Sequence, residues 1–324
     1  MPGRRGETNE QRRTDIGRVL RVGTRGSRLA LRQAGMVMEE LRRRRPGLTL
    51  DVHVIRTAGD RMQDVALAQI GGKGVFVKEL EEALLERRID LAVHSMKDVP
   101  ALLPEGLEIA AMLEREDPRD VLISKGNFKL ERIPPRARIG TGSLRRGCQL
   151  KNIYMDVEIV PIRGNLDTRI KKIERGNLDG IIVAAAGLKR MGWQDQASQF
   201  IPPEIMTPAI GQGALGVEVR KGEDVGEIVS VLNHERTFTE VSAERAFLAV
   251  FGAGCQVPIA AYGQVEKDSI TVTGLVGSLD GRMLVKDRVR GPVAEAERMG
   301  RILAERILAA GGRQIMDEVY RRLS

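Results

Sequence analysis

The sequence predicts an α/β fold that ends in a separate α+β segment. Three observations lead there: short apolar runs alternate with helix-spaced segments, hydroxyl or small residues stand where successive helices begin, and a hairpin pattern followed by two helices closes the chain. With 324 residues, 42% hydrophobic and 30% charged, the chain holds enough apolar material for two or three ordinary domains.

Residues 18–22 read as a strand, and Gly23-Thr24-Arg25-Gly26-Ser27 turns into a helix with Ser27 as its N-cap. Ala30, Ala34, Val37, Met38 and Leu41 recur at helical spacing until Pro46-Gly47 stops them. Residues 48–54 alternate apolar and polar, which predicts a second strand and completes a β-α-β unit. From Arg56 to Gly74 periodicity fades into a polar stretch ending Gly71-Gly72-Lys73-Gly74, expected to serve as a lid. A helix is predicted over 77–88, acids early and arginines late. The apolar run 90–93 then breaks into His94-Ser95-Met96-Lys97-Asp98-Val99-Pro100, the sort of sheet edge at which sites sit.

After a connecting stretch, Arg138-Ile139-Gly140 enters a helix capped at Ser143. A strand at 157–162, a helix at 166–175 and a strand at 179–184 complete another unit. Such alternation implies a largely parallel sheet with ligands at the carboxyl ends of its strands. A strand at 215–219 and a helix at 238–251 follow. Residues 270–276 and 283–289 flank an Asp280-Gly281 turn as an antiparallel hairpin, and helices at about 293–310 and 312–323 finish the chain.

Composition excludes several classes. The formal charge is +8, but residues 1–45 alone carry thirteen arginines against five acids, so the remainder is neutral and no global field for nucleic acid exists. Aromatic residues, at 3%, are too few for a base-stacking surface. Two cysteines, Cys148 and Cys255, and no Cys/His cluster at ligand spacing indicate neither a disulfide scaffold nor a metal site. No apolar run approaches the roughly 20 residues that span a bilayer, and residues 1–17 form a polar, arginine-rich tail without a secretory h-region. The expectation is a cytoplasmic protein that does not bind a membrane.

Three strand-to-helix junctions carry arginines: Thr24-Arg25-Gly26-Ser27, Thr141-Gly142-Ser143 with Arg145 and Arg146, and Arg163-Gly164-Asn165 with Arg169. Free N–H groups at a helix start and the fork of arginine both suit anions, so the substrate is expected to be polyanionic. Asp98 fits a turn cap before Val99-Pro100 on spacing alone. Cys255, behind Gly252-Ala253-Gly254, suits an inert core thiol and an attachment point equally well; Cys148 reads as packing.

In order, Gly23 to Ala30, Gly71 to Glu79, His94 to Pro100, Glu116-Asp117-Pro118-Arg119-Asp120, Ser143-Leu144-Arg145-Arg146, Arg163-Gly164-Asn165, Gly211-Gln212-Gly213 and Gly254-Cys255-Gln256-Val257-Pro258 closely resemble the porphobilinogen deaminase (hydroxymethylbilane synthase) family, from about Arg18 to the end. The resemblance implies three domains, two of them similar to type II periplasmic binding proteins: 18–114 with 210–232, then 115–209, then an α+β domain at 233–324. It implies a transferase that condenses four porphobilinogens on a dipyrromethane cofactor attached by a thioether to Cys255, with Asp98 as the catalytic carboxylate. Lys97, Thr141, Ser143, Arg145, Arg146 and Arg190 match cofactor-binding positions, Arg25, Ser27, Gln33, Arg163 and Arg169 substrate-binding positions, and Lys73 and Phe76 the lid. A monomer is expected. Gly142 departs from the second hydroxyl residue that the family often has, and Gly252-Ala253 from its usual Glu-Gly. The competing reading is a non-catalytic clamp for a small anion; a nucleic-acid binder would rest only on the arginines before Pro46.

Overall fold

The computed structural model describes residues 17–57, 77–176, 178–252 and 257–323. The tail before Gly17, the lid residues Lys73 and Phe76, and Cys255 lie outside the described residues. The first sheet has five strands: β1 (Val19–Arg25), β2 (Thr49–Ile55), β3 (Leu91–Ser95), β4 (Leu107–Met112) and, from far along the chain, β10 (Leu215–Arg220), in the order β2-β1-β3-β10-β4. The second, also of five, contains β5 (Asp120–Ser124), β6 (Arg138–Gly140), β7 (Glu158–Val160), β8 (Gly180–Ala184) and β9 (Gln199–Ile201), ordered β7-β6-β8-β5-β9.

Both sheets repeat one plan. Three parallel strands lie in the order second, first, third, and beyond them runs a reversed strand that enters from the other half, β10 in one sheet and β5 in the other. The sheets are largely parallel as expected, four of five strands in each running one way, with one reversed strand that the sequence did not announce: the chain crosses between halves twice, and each arriving strand enters its sheet from the opposite end. β4 and β5, short apolar runs inside the stretch read as a connection, were indistinguishable from coil by periodicity. β2 is an edge strand, so only Leu50 of its alternating residues is buried, while Val52 and Val54 are exposed.

Helix α1 (Arg28–Arg44) begins as its cap dictates: Ser27 Oγ accepts from the Ala30 N–H at 3.2 Å, and Val37 and Leu41 pack on Leu20, Val22 and Val217. α2 (Lys78–Leu85) stops short of the predicted 88, where Arg87 turns to φ 58°. In the second half α3 (Leu144–Ile153), α4 (Leu166–Glu174) and α5 (Ala185–Met191) flank the sheet. α6 (Asp224–Ser230) and α7 (Glu235–Val250) then lead to a three-stranded antiparallel sheet of β11 (Ile259–Glu266), β12 (Ser269–Gly277) and β13 (Leu284–Pro292), covered by α8 (Ala296–Ile307) and α9 (Arg313–Leu323). Phe247, Leu303, Ile307 and Ile315 centre its core. β11 is a strand that the sequence reading missed, and the predicted helix at 293–310 is α-helical only over Ala296–Ile307, passing into a wider turn at 308–312 in which Gly311 takes φ +107°.

Two crossings join the halves, and α7 seats on both. Fully buried Glu244 pairs with Arg115 of the first crossing at 2.6 Å and accepts the N–H of Gly211 in the second at 2.6 Å and of Gly263 in β11 at 2.8 Å. Gly211 and Gly213 are required as glycines. Both have positive φ, and an added Cβ would lie 2.7 Å from Met96 Cβ and 2.2 Å from Glu116 O respectively.

Beneath the first sheet's site edge is a buried polar group. His94 Nε2 lies 2.8 Å from Glu218 Oε2 on the facing strand, which satisfies the strand-end histidine. The neighbouring Glu81 carboxyl is pushed up to about 7, by burial first and the Glu218 charge second, against the pull of His94. Folded Glu81 therefore holds its proton more tightly than at its ordinary 4.5, so its contribution to stability is complete below about 4.5 and is lost as pH rises through about 7. In thermal melts Glu81→Gln should gain on the wild type between pH 5 and pH 8, by roughly 1–2 kcal/mol; parallel pH profiles would show that the carboxyl does not titrate there.

Candidate active site

The site forms where the carboxyl ends of both sheets face each other. β3 ends at Ser95, whose Oγ takes a hydrogen bond from Gln33 Nε2 of α1 at 3.0 Å, and the next three residues, Met96–Asp98, form a single 3-10 turn. Lys97 and Asp98 of that turn both line the interdomain cavity. Met96 is fully buried and anchors the turn.

That cavity, of about 280 Å³, gathers most of the expected residues: Arg25, Ser27 and Gln33 from the first half with Lys97 and Asp98, and Arg146, Arg163, Arg169 and Arg190 from the second. A smaller one of about 60 Å³ is lined by Lys97, Ser143 and Arg145 and closed by Leu248, Val257 and Ile259 of the third domain. Lys97 borders both. Thr141 is buried and borders neither; its Oγ1 accepts from the Ser143 N–H at 3.1 Å. Val257 stands two residues after Cys255 in the sequence. Cys148 is buried elsewhere, its thiol pushed up to about 12 by burial and packed on Gly277, where a Cβ would lie 2.9 Å from its sulfur. At Gly142 a Cβ would lie 2.7 Å from Ile162 O, so this chain has closed the position at which its resembling family often has a hydroxyl.

Arg145 and Arg146 are not free forks. Fully buried Asp120, the first residue of β5, pairs with Arg145 Nη1 at 2.7 Å and Arg146 Nη2 at 2.8 Å, and Gln212 Nε2 of the second crossing donates to it at 3.0 Å. Burial alone would raise the Asp120 carboxyl, but the two guanidiniums outweigh it and hold it well below the usual range. The role of Asp120 escaped the sequence reading, although its motif was noted, because its partners come from distant segments. Arg145 also donates to Thr207 O at 2.7 Å.

The remaining cations are left more demanding. Burial, then the charge of Arg146, lowers Arg169 to about 10, while Asp98 offsets part of this. Burial lowers Arg190 to about 10; it donates to Gly213 O at 2.6 Å, and its Nε is buried without a hydrogen-bond partner among the described residues. Lys97 is lowered to about 8, by burial first, with Asp98 pulling the other way and Arg146 and Arg169 adding to the fall. Arg169 Nε donates to Gly164 O at 2.8 Å, which fixes the α4 junction; Asn165 starts that helix without a side-chain cap. A group bearing several carboxylates fits this cavity: it would satisfy Arg190 Nε and relieve the repulsion among Arg146, Arg163 and Arg169.

No cluster of three or more His, Cys, Asp or Glu side chains among the described residues is arranged to hold a metal ion, and no described helix is long and apolar enough to cross a membrane. Residues 20–227 match the family model described as porphobilinogen deaminase, dipyrromethane cofactor binding domain, and residues 238–309 match the porphobilinogen deaminase C-terminal domain. Among curated relatives, porphobilinogen deaminase of Geobacter metallireducens is 53% identical, covering 94% of this chain and 95% of its own, and that of Syntrophus aciditrophicus is 52% identical, covering 93% and 98%. Among solved structures, the Bordetella pertussis BvgS VFT2 domain aligns with 69% of this chain and 90% of its own at 12% identity and a TM-score of 0.42, too distant to add to what the sheets themselves say. The chain belongs to the porphobilinogen deaminase family, a family of dipyrromethane-containing transferases of tetrapyrrole biosynthesis.

Proposed function

We propose that this chain joins four porphobilinogen molecules head to tail on a dipyrromethane held by a thioether to Cys255. Ammonia leaves at each addition, and water releases the linear hydroxymethylbilane. The observation that carries this reading is the Asp98 carboxylate set among Lys97, Arg146 and Arg169 in a cavity between two sheets. The division of the chain into 18–114 with 210–232, 115–209 and 233–324 accompanies the same reading.

The dipyrromethane, when bound, supplies the pyrrole carbon onto which substrate is added. Cys255 is assigned to its attachment, and Lys97, Thr141, Ser143, Arg145, Arg146 and Arg190 to its carboxylates. Of these, Arg190 has a buried Nε to offer and Arg145 is the most committed elsewhere. Arg25, Ser27, Gln33, Arg163 and Arg169 are assigned to porphobilinogen. Ser27 Oγ accepts from its helix but retains a hydroxyl proton to donate. Loss of ammonia leaves a cationic azafulvene on the substrate, which the Asp98 carboxylate stabilises; the same oxygens then take the proton released after coupling. The cationic walls hold the acetate and propionate groups that accumulate as the product grows.

Intact-mass measurement tests the reading in a host able to make porphobilinogen. The expected result is a two-pyrrole adduct on the wild type that is absent from Cys255→Ala; an unmodified wild type would overturn it and favour a plain anion clamp. Asp98→Ala should lose condensation by roughly a hundredfold or more, and undiminished turnover would remove Asp98 from the chemistry. Arg169→Ala should accumulate discrete covalent intermediates, whereas a uniform slowing would argue against stepwise binding of the growing chain. As pH rises through about 8, Lys97 sheds its charge, so KM for porphobilinogen should increase; in Lys97→Arg that limb should move to higher pH.

A further inference from the structure

We infer that Arg28, over the Trp193 ring across the cleft, is an outer docking point for a carboxylate of the incoming substrate, in addition to the cations assigned above. The inference rests on the proposed function. Arg28 is the first residue of α1, in a first turn without an acidic residue, so it places a cation at the positive end of the helix dipole. Local helix energetics therefore do not account for it.

Its partner is on the opposite wall. The Arg28 guanidinium carbon lies 5.6 Å from the centroid of the Trp193 ring, just beyond α5. Beside this pair the two walls touch: a Cβ at Gly187 of α5 would meet Leu29 Cδ2 at 3.7 Å. Arg28 is exposed, Trp193 is half-buried, and both line the cavity that holds Lys97 and Asp98.

A guanidinium that lies on a ring uses its face and keeps its N–H edge available. No carboxylate among the described residues pairs with Arg28, so its N–H donors are left for an acid that enters. The ring fixes the side chain in advance, which lowers the entropy lost when an acid docks. A charge at the rim of a site acts chiefly on encounter and on salt dependence. Arg28 accordingly serves to capture substrate, not to carry out the chemistry.

The test is kinetic and optical, on the holoenzyme. Arg28→Gln should raise KM for porphobilinogen about fivefold with kcat within about twofold of the wild type, and should flatten the fall of kcat/KM with added salt. Arg28→Lys, which keeps the charge but loses the fork, should fall between the two. Trp193 is the single tryptophan, so its emission reports on the pair: addition of porphobilinogen should change it in the wild type, and the change in Arg28→Gln should be smaller at the same concentration. An Arg28→Gln enzyme with wild-type KM and salt slope overturns the inference, as does one whose kcat falls while KM stays. If the wild type neither carries the two-pyrrole adduct nor consumes porphobilinogen, the proposed function fails and this inference with it; if the wild type does both and Arg28→Gln matches it, only the inference fails.

Discussion

The buried carboxylate of Asp120 is the constraint on which the cleft depends. It takes Arg145, Arg146 and Gln212 at once, and so ties β5, α3 and the second crossing to one point. Two guanidiniums at 5% and 7% side-chain exposure would repel each other in a poorly screened interior, and stripping a buried charge of its partner typically costs about 3–5 kcal/mol. Asp120 allows cations to be concentrated there without the second sheet being forced apart.

The cations outside that arrangement behave differently. Arg163, Arg169 and Arg190 are each disfavoured in their charged form by burial, and Arg169 further by Arg146. An anion that enters relieves both penalties, so binding draws on destabilisation already present in the free protein. Asp98, which faces them across the cavity, is on a short turn whose buried Met96 fixes its direction. The second half thus supplies Arg146, Arg163, Arg169 and Arg190, and the first supplies Asp98 together with Lys97 and Arg25.

What the sequence disclosed follows the range of the interactions involved. Ser27 and Ser143 were legible as caps because a cap acts within three residues, and both accept from the expected N–H. Lys97 and Asp98 were legible as a sheet-edge pair because an apolar run stops just before them. The reversed strands β5 and β10 were not, since nothing in an apolar run encodes its direction. Asp120, Glu244 and the pairing of Arg28 with Trp193 were hidden for a related reason: each acts through a partner that only the folded chain brings near. Cys255 acquired a role from resemblance, because its three small neighbours fit an inert thiol as well as a modified one.

Gly211 has a mechanical consequence. It leans on Met96 so closely that a Cβ would sit 2.7 Å from the side chain and 2.9 Å from the carbonyl carbon, and Met96 opens the turn that bears Lys97 and Asp98. A flexing of that crossing cannot leave the turn behind. The seat of Asp98 is therefore set by the crossing itself, like a bracket bolted to the hinge it stands beside.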